Sequence, residues 1–222
     1  MTYSRIITSN QSGLHDKLEA VVRRHLGTQF KRPFPEYSLK VFQQAEQLRA
    51  QHSGPVILDS FCGVGESTVN IARQHPDALV IGIDKSSHRL VKHDDNYRDA
   101  TVPNYHLLQA DVDDFWRLAL QAGWQLTKHF ILYPNPWPKS AHLQRRVQGS
   151  PLFPTLLALG GCVELRSNWP IYVEEFAAAL TLAGHAASAE PLAVQSPITP
   201  FERKYRDSGQ ALWHCICQLE RC

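Results

Sequence analysis

Short apolar runs alternate with helix-length segments through the middle of the chain. Four runs of strand length, rich in Val, Ile and Leu, occupy residues 55–60, 78–84, 105–111 and 129–134. Helical patterns separate them at residues 66–74, 87–99 and 113–122. Continuous apolar runs are typical of strands buried on both faces of a parallel sheet. The alternation therefore predicts an α/β fold, a mostly parallel sheet with helices on both faces.

The segments on either side extend this architecture. A helix is predicted at residues 41–50, and the later pattern gives a helix, a strand and a helix at 151–159, 162–167 and 171–183. Residues 185–198 are rich in loop formers, and residues 211–220 alternate apolar and polar side chains. This alternation predicts a final antiparallel strand. Since 222 residues are too few for two ordinary catalytic domains, we divide the chain into a basic N-terminal extension, 1–50, and one catalytic domain, 51–222.

Composition excludes several classes of protein. With 43% hydrophobic and 20% charged residues, the chain is neither disordered nor fibrous. Its longest nearly uncharged apolar stretch, 176–184, is too short for a bilayer, and residues 1–10 lack the apolar core of a signal peptide, so we expect a cytoplasmic protein without membrane association. Neither CxxC nor HExxH or HxH spacings occur, which predicts no bound metal. We expect five reduced thiols: Cys62, Cys162, Cys215, Cys217 and Cys222.

The first 50 residues form the most basic quarter of the chain. They carry the cations Arg23, Arg24, Lys31 and Arg32, interleaved with the aromatic residues Phe30, Phe34 and Tyr37. Two interpretations stay open: the aromatic residues pack on the core, or the segment binds the phosphate backbone of a nucleic acid. The net charge of +2 does not decide between them, because phosphate binding depends on local clusters.

A ligand site is predicted where the first strands end. Gly63 and Gly65 lie in the turn after the first strand, where missing side chains let a ligand approach the backbone. Asp84 ends the second strand, in a position to accept from both hydroxyls of a ribose. Asp111 ends the third strand, within reach of an adenine edge.

Two cofactors carry such a ribose, a nicotinamide dinucleotide and S-adenosyl-L-methionine. Thr68 replaces the third glycine of the dinucleotide fingerprint GxGxxG. The acids Asp59, Glu66, Asp84 and Asp111 lie at or near strand ends, and they would repel a pyrophosphate but suit a cationic ligand. This favours S-adenosyl-L-methionine, whose sulfonium and ammonium groups are positively charged.

A rigid loop follows the fourth strand. Pro134, Pro136 and Pro138 exclude both helix and strand pairing there. Trp137 offers a plane on which a base can stack, or else packs in the core, and Asn135 offers an amide. The cations Lys139, Arg145 and Arg146 follow, and we expect them to meet phosphates. Arg203, Lys204 and Arg206 are expected near the same rim, although Arg206 is better interpreted as a solvated charge.

Six blocks of the sequence resemble the bacterial tRNA (guanine-N7-)-methyltransferase family, between Leu58 and Tyr205. They are LDSFCGVGEST, VIGIDKSSHRL, ADVDDFWRL, YPNPWPKSAHLQRR, LRSNWPIYVEEF and TPFERKY. The resemblance implies a Rossmann-like class I methyltransferase domain with a seven-stranded sheet. It also implies S-adenosyl-L-methionine as methyl donor and N7 of a guanosine in tRNA as acceptor, but says nothing of whether the protein is a monomer or a homodimer.

The resemblance also implies roles for individual residues. It assigns cofactor binding to Asp59, Asp84 and Asp111, together with Gly63 and Gly65. It assigns substrate contacts to Lys139, Asn168, Thr199 and Glu202, to which the stacking argument adds Trp137. Two departures stand out, because Asn135 and Asn168 replace aspartates that are usual in the family.

Asn135 is the candidate catalytic residue, and its amide leaves three outcomes open. Guanine N7 has an in-plane lone pair and no proton to remove, so positioning rather than a general base is required. A neutral amide accepts hydrogen bonds more weakly than a carboxylate, which predicts slower transfer or lost activity. The sequence Asn-Pro-Trp also fits an exocyclic amine as acceptor, or a small molecule, because the amide carbonyl can accept from the amine.

Overall fold

The computed structural model describes residues 4–219, which contain a single seven-stranded sheet. The strands are β1 (Val56–Ser60), β2 (Leu79–Asp84), β3 (Tyr105–Gln109), β4 (Lys128–Leu132), β5 (Gly161–Ser167), β6 (Glu190–Pro191) and β7 (Trp213–Leu219). The helices are α1 (Leu18–Leu26), α2 (Glu36–Ala50), α3 (Glu66–Gln74), α4 (Ser87–Asn96), α5 (Val112–Gln121), α6 (Phe153–Leu159), α7 (Pro170–Leu182) and α8 (Pro200–Asp207). Two 3₁₀ turns, Ser140–Arg145 and Val147–Gly149, lie between β4 and α6.

The strand order is β3-β2-β1-β4-β5-β7-β6. Strands β1 to β5 run parallel, and β7 is antiparallel to both of its neighbours. The predicted Rossmann-like, mostly parallel sheet is therefore confirmed, including the final antiparallel strand. Because the order runs outward from β1 in both directions, the loops after β1 and β4 diverge and leave a crevice at the carboxyl ends of the strands.

Both faces of the sheet are covered, as the continuous apolar runs predict. Leu58 and Ile131 belong to a large core shared with α1, α2, α5, α6 and α7. Their neighbours Ile57 and Phe130 point the other way, into a smaller core with α3 and with Tyr205 of α8. Since successive strand residues alternate between faces, the central strands β1, β2 and β4 contribute to both cores.

The N-terminal helices are part of the large core. Val22 and Ala45 are fully buried, and the ring of Phe42 packs on Phe115, with their centroids 5.3 Å apart. Phe30 and Phe34 are partly buried against this core, which confirms for them the packing interpretation. Tyr37 remains half exposed. The division at residue 50 stays a prediction, and the helices before it share the core of the catalytic domain.

Two helices lie where no helix was predicted, α1 and α8, and α2 begins at Glu36 instead of residue 41. Free thiols are found at Cys62, Cys162, Cys215 and Cys217, whereas Cys222 lies outside the described residues. Within residues 4–219, no helix has the length and apolar character needed to cross a membrane.

Candidate active site

A cleft of about 700 Å³ opens at the carboxyl ends of the parallel strands. Its walls come from the loops after β1 to β5 and from α8. The lining residues are Phe61, Asp84, Lys85, Arg89, Asp111, Val112, Asp113, Tyr133, Pro134, Asn135, Pro136, Trp137, Asn168, Phe201 and Tyr205. The cleft thus joins two predicted features, the acids after β2 and β3 and the proline loop after β4.

Three residues on the cleft wall have a left-handed backbone without being glycine. Their φ angles are 64° for Phe61, 52° for Tyr133 and 45° for Trp137. They are the non-glycine residues with positive φ among residues 4–219. This conformation is strained for bulky side chains and persists only where the surroundings impose it. Its concentration around one cleft identifies this edge of the sheet as the functional one.

The glycine turn leaves room for a ligand at one of its two glycines. Gly63 has φ 62°, and a Cβ added there would meet no atom within 4 Å. Its N–H donates to Oδ2 of Asp84 at 3.0 Å, so the turn is tied to the end of β2. Gly65 has φ 75° and precedes α3, but a Cβ there would collide with Leu107 and His93. Gly63 therefore allows close approach of a ligand, and Gly65 serves packing.

Asp84 presents a buried carboxylate at the edge of the cleft. Its Oδ1 accepts from the backbone N–H of Ser86 at 2.8 Å. Its Oδ2 accepts from Gly63 and from the guanidinium of Arg89, at 3.1 Å. Arg89 is half exposed and itself lines the cleft. The acid that was predicted to hold a ribose is thus paired with a cation of its own chain.

Asp111 has a similar environment after β3. Its side chain caps α5 by accepting from Asp113 N–H, and it faces Lys85 Nζ at 3.1 Å and Arg32 Nη2 at 3.6 Å. Burial raises the pKa of Asp111, but the hydrogen bond from Lys85 and the charges of Lys85 and Arg32 outweigh it and leave the pKa below its ordinary value. Asp84 and Asp111 are therefore both paired with cations of this chain.

Asp59 lies beneath the turn and does not line the cleft. Its Oδ2 accepts from the hydroxyls of Ser67 and Thr68, at 2.6 and 2.7 Å, and its Oδ1 is buried without a partner. Burial raises the pKa of Asp59 to about 6, against the effect of both hydroxyls. Thr68 packs on Gly82 of β2, which explains how a threonine fits where a dinucleotide fold has glycine.

The proline loop presents Asn135 and Trp137 to the cleft. Oδ1 of Asn135 accepts from the backbone N–H of Trp137 at 3.3 Å, a local turn that leaves the amide N–H₂ free to face the cleft. The guanidinium of Arg145 lies over the Trp137 ring, 4.7 Å from its centroid, and His142 packs edge-on against it. Lys139 is exposed but lies outside the cleft wall.

Arg146 has a different role from the one expected. Its side chain has no exposed surface, so the expectation that it meets phosphates is wrong. Its guanidinium pairs with Glu175 at 2.6 Å and donates to the carbonyls of Trp137 and Lys139. Arg146 thereby supports the proline loop from beneath.

The remaining predicted substrate residues differ in exposure. Asn168 lines the cleft, and its Nδ2 donates to Gln210 at 2.8 Å. Thr199 caps α8 by accepting from the N–H of Glu202. The carboxylate of Glu202 is fully buried and accepts from the hydroxyl of Tyr133 and from Arg166, both at 2.8 Å. Glu202 and Thr199 therefore position Tyr133 and α8 and do not themselves face the cleft.

An N-terminal segment, residues 4–15, contacts both the proline loop and Gln210. Ser9 Oγ donates to the carbonyl of Pro138, and Asn10 hydrogen-bonds to Ser140 in both directions. At its other end, the carbonyl of Ser4 accepts from Nε2 of Gln210, the residue that holds Asn168. The segment thus connects the proline loop, through Gln210, with Asn168 on the cleft wall.

Four residues of the cleft wall were not predicted from the sequence: Phe61, Tyr133, Arg89 and Phe201 of α8.

Asp84, Asp111 and Gly63 fit a ligand with a ribose and an amine-bearing base, since they offer two carboxylates and an open approach. No group of three or more His, Cys, Asp or Glu side chains suited to a metal ion occurs within residues 4–219.

Similar proteins agree with this geometry. The tRNA (guanine-N(7)-)-methyltransferase of Saccharophagus degradans is 26% identical over 199 residues, covering 84% of this chain and 86% of the relative. The enzyme of the same name from Nitrosomonas eutropha is 29% identical, covering 75% of each chain. Among solved structures, the 16S rRNA methyltransferase KamB superposes with a TM-score of 0.59 at 20% identity, covering 85% of this chain and 96% of KamB. A family model described as "Putative methyltransferase" matches residues 53–215, and the chain belongs to this methyltransferase family.

Proposed function

We propose that this methyltransferase transfers the methyl group of S-adenosyl-L-methionine to N7 of a guanosine in tRNA. The observation that carries the proposal is the single cleft that contains both Asp84 and Asp111 on one side and the Asn135–Trp137 loop on the other. The names of the relatives support the same acceptor, since they match this chain over most of its length. A tRNA substrate agrees with a cytoplasmic enzyme.

The donor side of the cleft suits a cationic nucleoside. Asp84 would accept from the ribose hydroxyls, Asp111 would accept from the adenine amine, and the open approach at Gly63 would receive the rest of the ligand. When bound, S-adenosyl-L-methionine supplies a methyl group on a positively charged sulfur. Asp59 would act only at a distance, as a buried acid beneath the turn.

The acceptor side needs no base, because guanine N7 is a free lone pair. The protein has to place that nitrogen in line with the methyl group and to tolerate the positive charge that forms on the base. The backbone of Trp137 is left-handed and its carbonyl accepts from buried Arg146, and Asn135 lies two residues before it. Asn135 provides a neutral amide at this position, so its contribution is orientation without charge.

Methylation of unmodified tRNA with a methyl-labelled donor tests the proposal. Purified protein is incubated with bulk tRNA made without modifications, and the digested nucleosides are separated by mass spectrometry. We expect label in N7-methylguanosine. Label in an N-methylated amine would show that the acceptor is an exocyclic amine, and binding of the donor with no labelled nucleoside would contradict the acceptor proposed here.

A further inference from the structure

Phe61 combines two unfavourable features in one residue. Its backbone is left-handed with φ 64°, and the residue, with its large apolar ring, is 36% exposed and lines the cleft. A positive φ is strained for an aromatic residue, and glycine would relieve the strain. Neither the strain nor the exposure benefits folding, which points to a role for the ring in binding.

Buried side chains pack against Phe61 on the side that faces the protein interior. The Phe61 ring packs edge-on against Trp116, with their centroids 6.2 Å apart. The indole N–H of Trp116 donates to Oγ of Ser60 at 2.9 Å, and Ser60 lies 2.9 Å from Nε2 of His129. Trp116, Ser60 and His129 are all buried, so a rigid polar network lies directly beneath the residue.

The position of Phe61 in the sheet places it between the two halves of the cleft. Ser60 pairs with Ile83 of β2 and with Ile131 of β4, so Phe61 is level with Asp84 on one side and with Leu132, the last residue of β4, on the other. A donor held at Asp84 and a base held near Trp137 would therefore lie on either side of Phe61.

We propose that the Phe61 ring contacts the sulfonium centre of S-adenosyl-L-methionine and recognises its positive charge by a cation–π interaction. The inference rests on the methyl donor proposed above and is independent of the acceptor. It implies that Phe61 distinguishes the cationic donor from its neutral product, S-adenosyl-L-homocysteine. Discrimination of this kind helps the product to leave after transfer.

Calorimetric titration with both nucleosides tests the inference without any acceptor. The variants are Phe61→Leu, which keeps an apolar side chain and the backbone strain but lacks the ring, and Phe61→Tyr, which keeps the ring. For Phe61→Leu we expect the affinity for S-adenosyl-L-methionine to fall roughly three- to thirtyfold, with little change for the product. Phe61→Tyr should bind both nucleosides like the wild type.

A second measurement detects the contact directly. The methyl proton signal of ¹³C-methyl S-adenosyl-L-methionine should shift upfield on binding to the wild type, and the shift should shrink in Phe61→Leu. If that variant does not fold, Phe61→Gly replaces it, because glycine adopts positive φ without strain. Equal weakening of both nucleosides, or no selective weakening, would overturn the role of Phe61. Failure of the wild type to bind either nucleoside would instead overturn the proposed donor.

Discussion

The guanidinium of Arg146 lies 2.6 Å from the carboxylate of Glu175, and neither side chain has exposed surface. Gln11 and Gln148 also donate to this carboxylate, so its charge is compensated from several directions. The pair supports the backbone of Trp137 through Arg146.

Replacing Glu175 with Ala should therefore destabilise the fold by about 3–5 kcal/mol, because the guanidinium would be left buried without its counter-ion. Denaturant unfolding measures the loss. Glu174→Ala on the same helix is the matched control and should cost less than about 1 kcal/mol, since that side chain is partly exposed. Equal losses in the two variants would contradict this role of the ion pair.

Arg89 competes with a ligand for Asp84. Replacing Arg89 with Ala frees Oδ2 of Asp84 from one hydrogen bond and removes a positive charge next to a cationic donor. Because Arg89 is half exposed, the gain is limited, and we expect S-adenosyl-L-methionine to bind about two- to fivefold more tightly. Calorimetry at low and high salt checks this, with a smaller gain at high salt. Weaker binding would mean that Arg89 itself contacts the ligand.

Asn135→Asp adds a negative charge where the methylated base becomes positive. The carboxylate can still accept from the N–H of Trp137, so the local turn should survive. Charge-assisted interactions are about twice as strong as neutral ones, and we expect transfer to tRNA to rise about tenfold at saturating donor. Single-turnover labelling measures the rate. Asn135→Ala is the comparison and should be slower than the wild type, and no difference among the three would exclude Asn135 from the chemistry.

Exposed cations near the proline loop should account for part of the salt dependence of tRNA binding. Lys139→Ala and Arg145→Ala are each expected to lower the slope of log affinity against log salt by roughly one. Lys40→Ala, an exposed cation on α2 that pairs with Glu36, is the control and should leave the slope unchanged. Filter binding at several salt concentrations gives the slopes. Unchanged slopes in all three variants would remove these residues from the RNA interface.

Asp59 should make the free energy of unfolding depend on pH between about pH 4 and pH 7. Its pKa is raised to about 6 from an ordinary value of 3.8, so the folded state holds a proton that the unfolded state releases. Its contribution to stability is complete below about pH 4 and is lost as the pH rises through 6. Between pH 4 and pH 7 the stability of Asp59→Asn should improve relative to the wild type by about 2 kcal/mol. Unfolding curves at the two pH values measure this, and a constant difference would contradict it.

The sheet was predictable because its signal is local. Each central strand is a continuous apolar run, and α3 spans 66–74 as predicted because Gly65 and Glu66 mark its start. Helix α8 was missed because its sequence PFERKYRD is mostly polar, and its position depends on Glu202 contacting Tyr133 and Arg166. Such contacts join distant parts of the chain and leave no periodic pattern.

Some features of the candidate site were also predictable from the sequence, and others were not. The proline loop and the acids after β2 and β3 follow from residue type and position, and they do meet in one cleft. The burial of Arg146 was not predictable, because arginine is usually exposed and its partner Gln11 is 135 residues away. The left-handed backbone of Phe61 was missed for a related reason, since glycine, asparagine and aspartate indicate that conformation in a sequence and phenylalanine does not.

The link from Ser4 through Gln210 to Asn168 has a consequence for how the enzyme matures. Residues 4 and 210 are 206 positions apart, so their contact closes one of the longest loops in the chain and should form late. The glycine turn and Asp84 are complete much earlier during synthesis. A growing chain would therefore contain the glycine turn and Asp84 first, and would fix Asn168 only after residues 4 and 210 have come into contact.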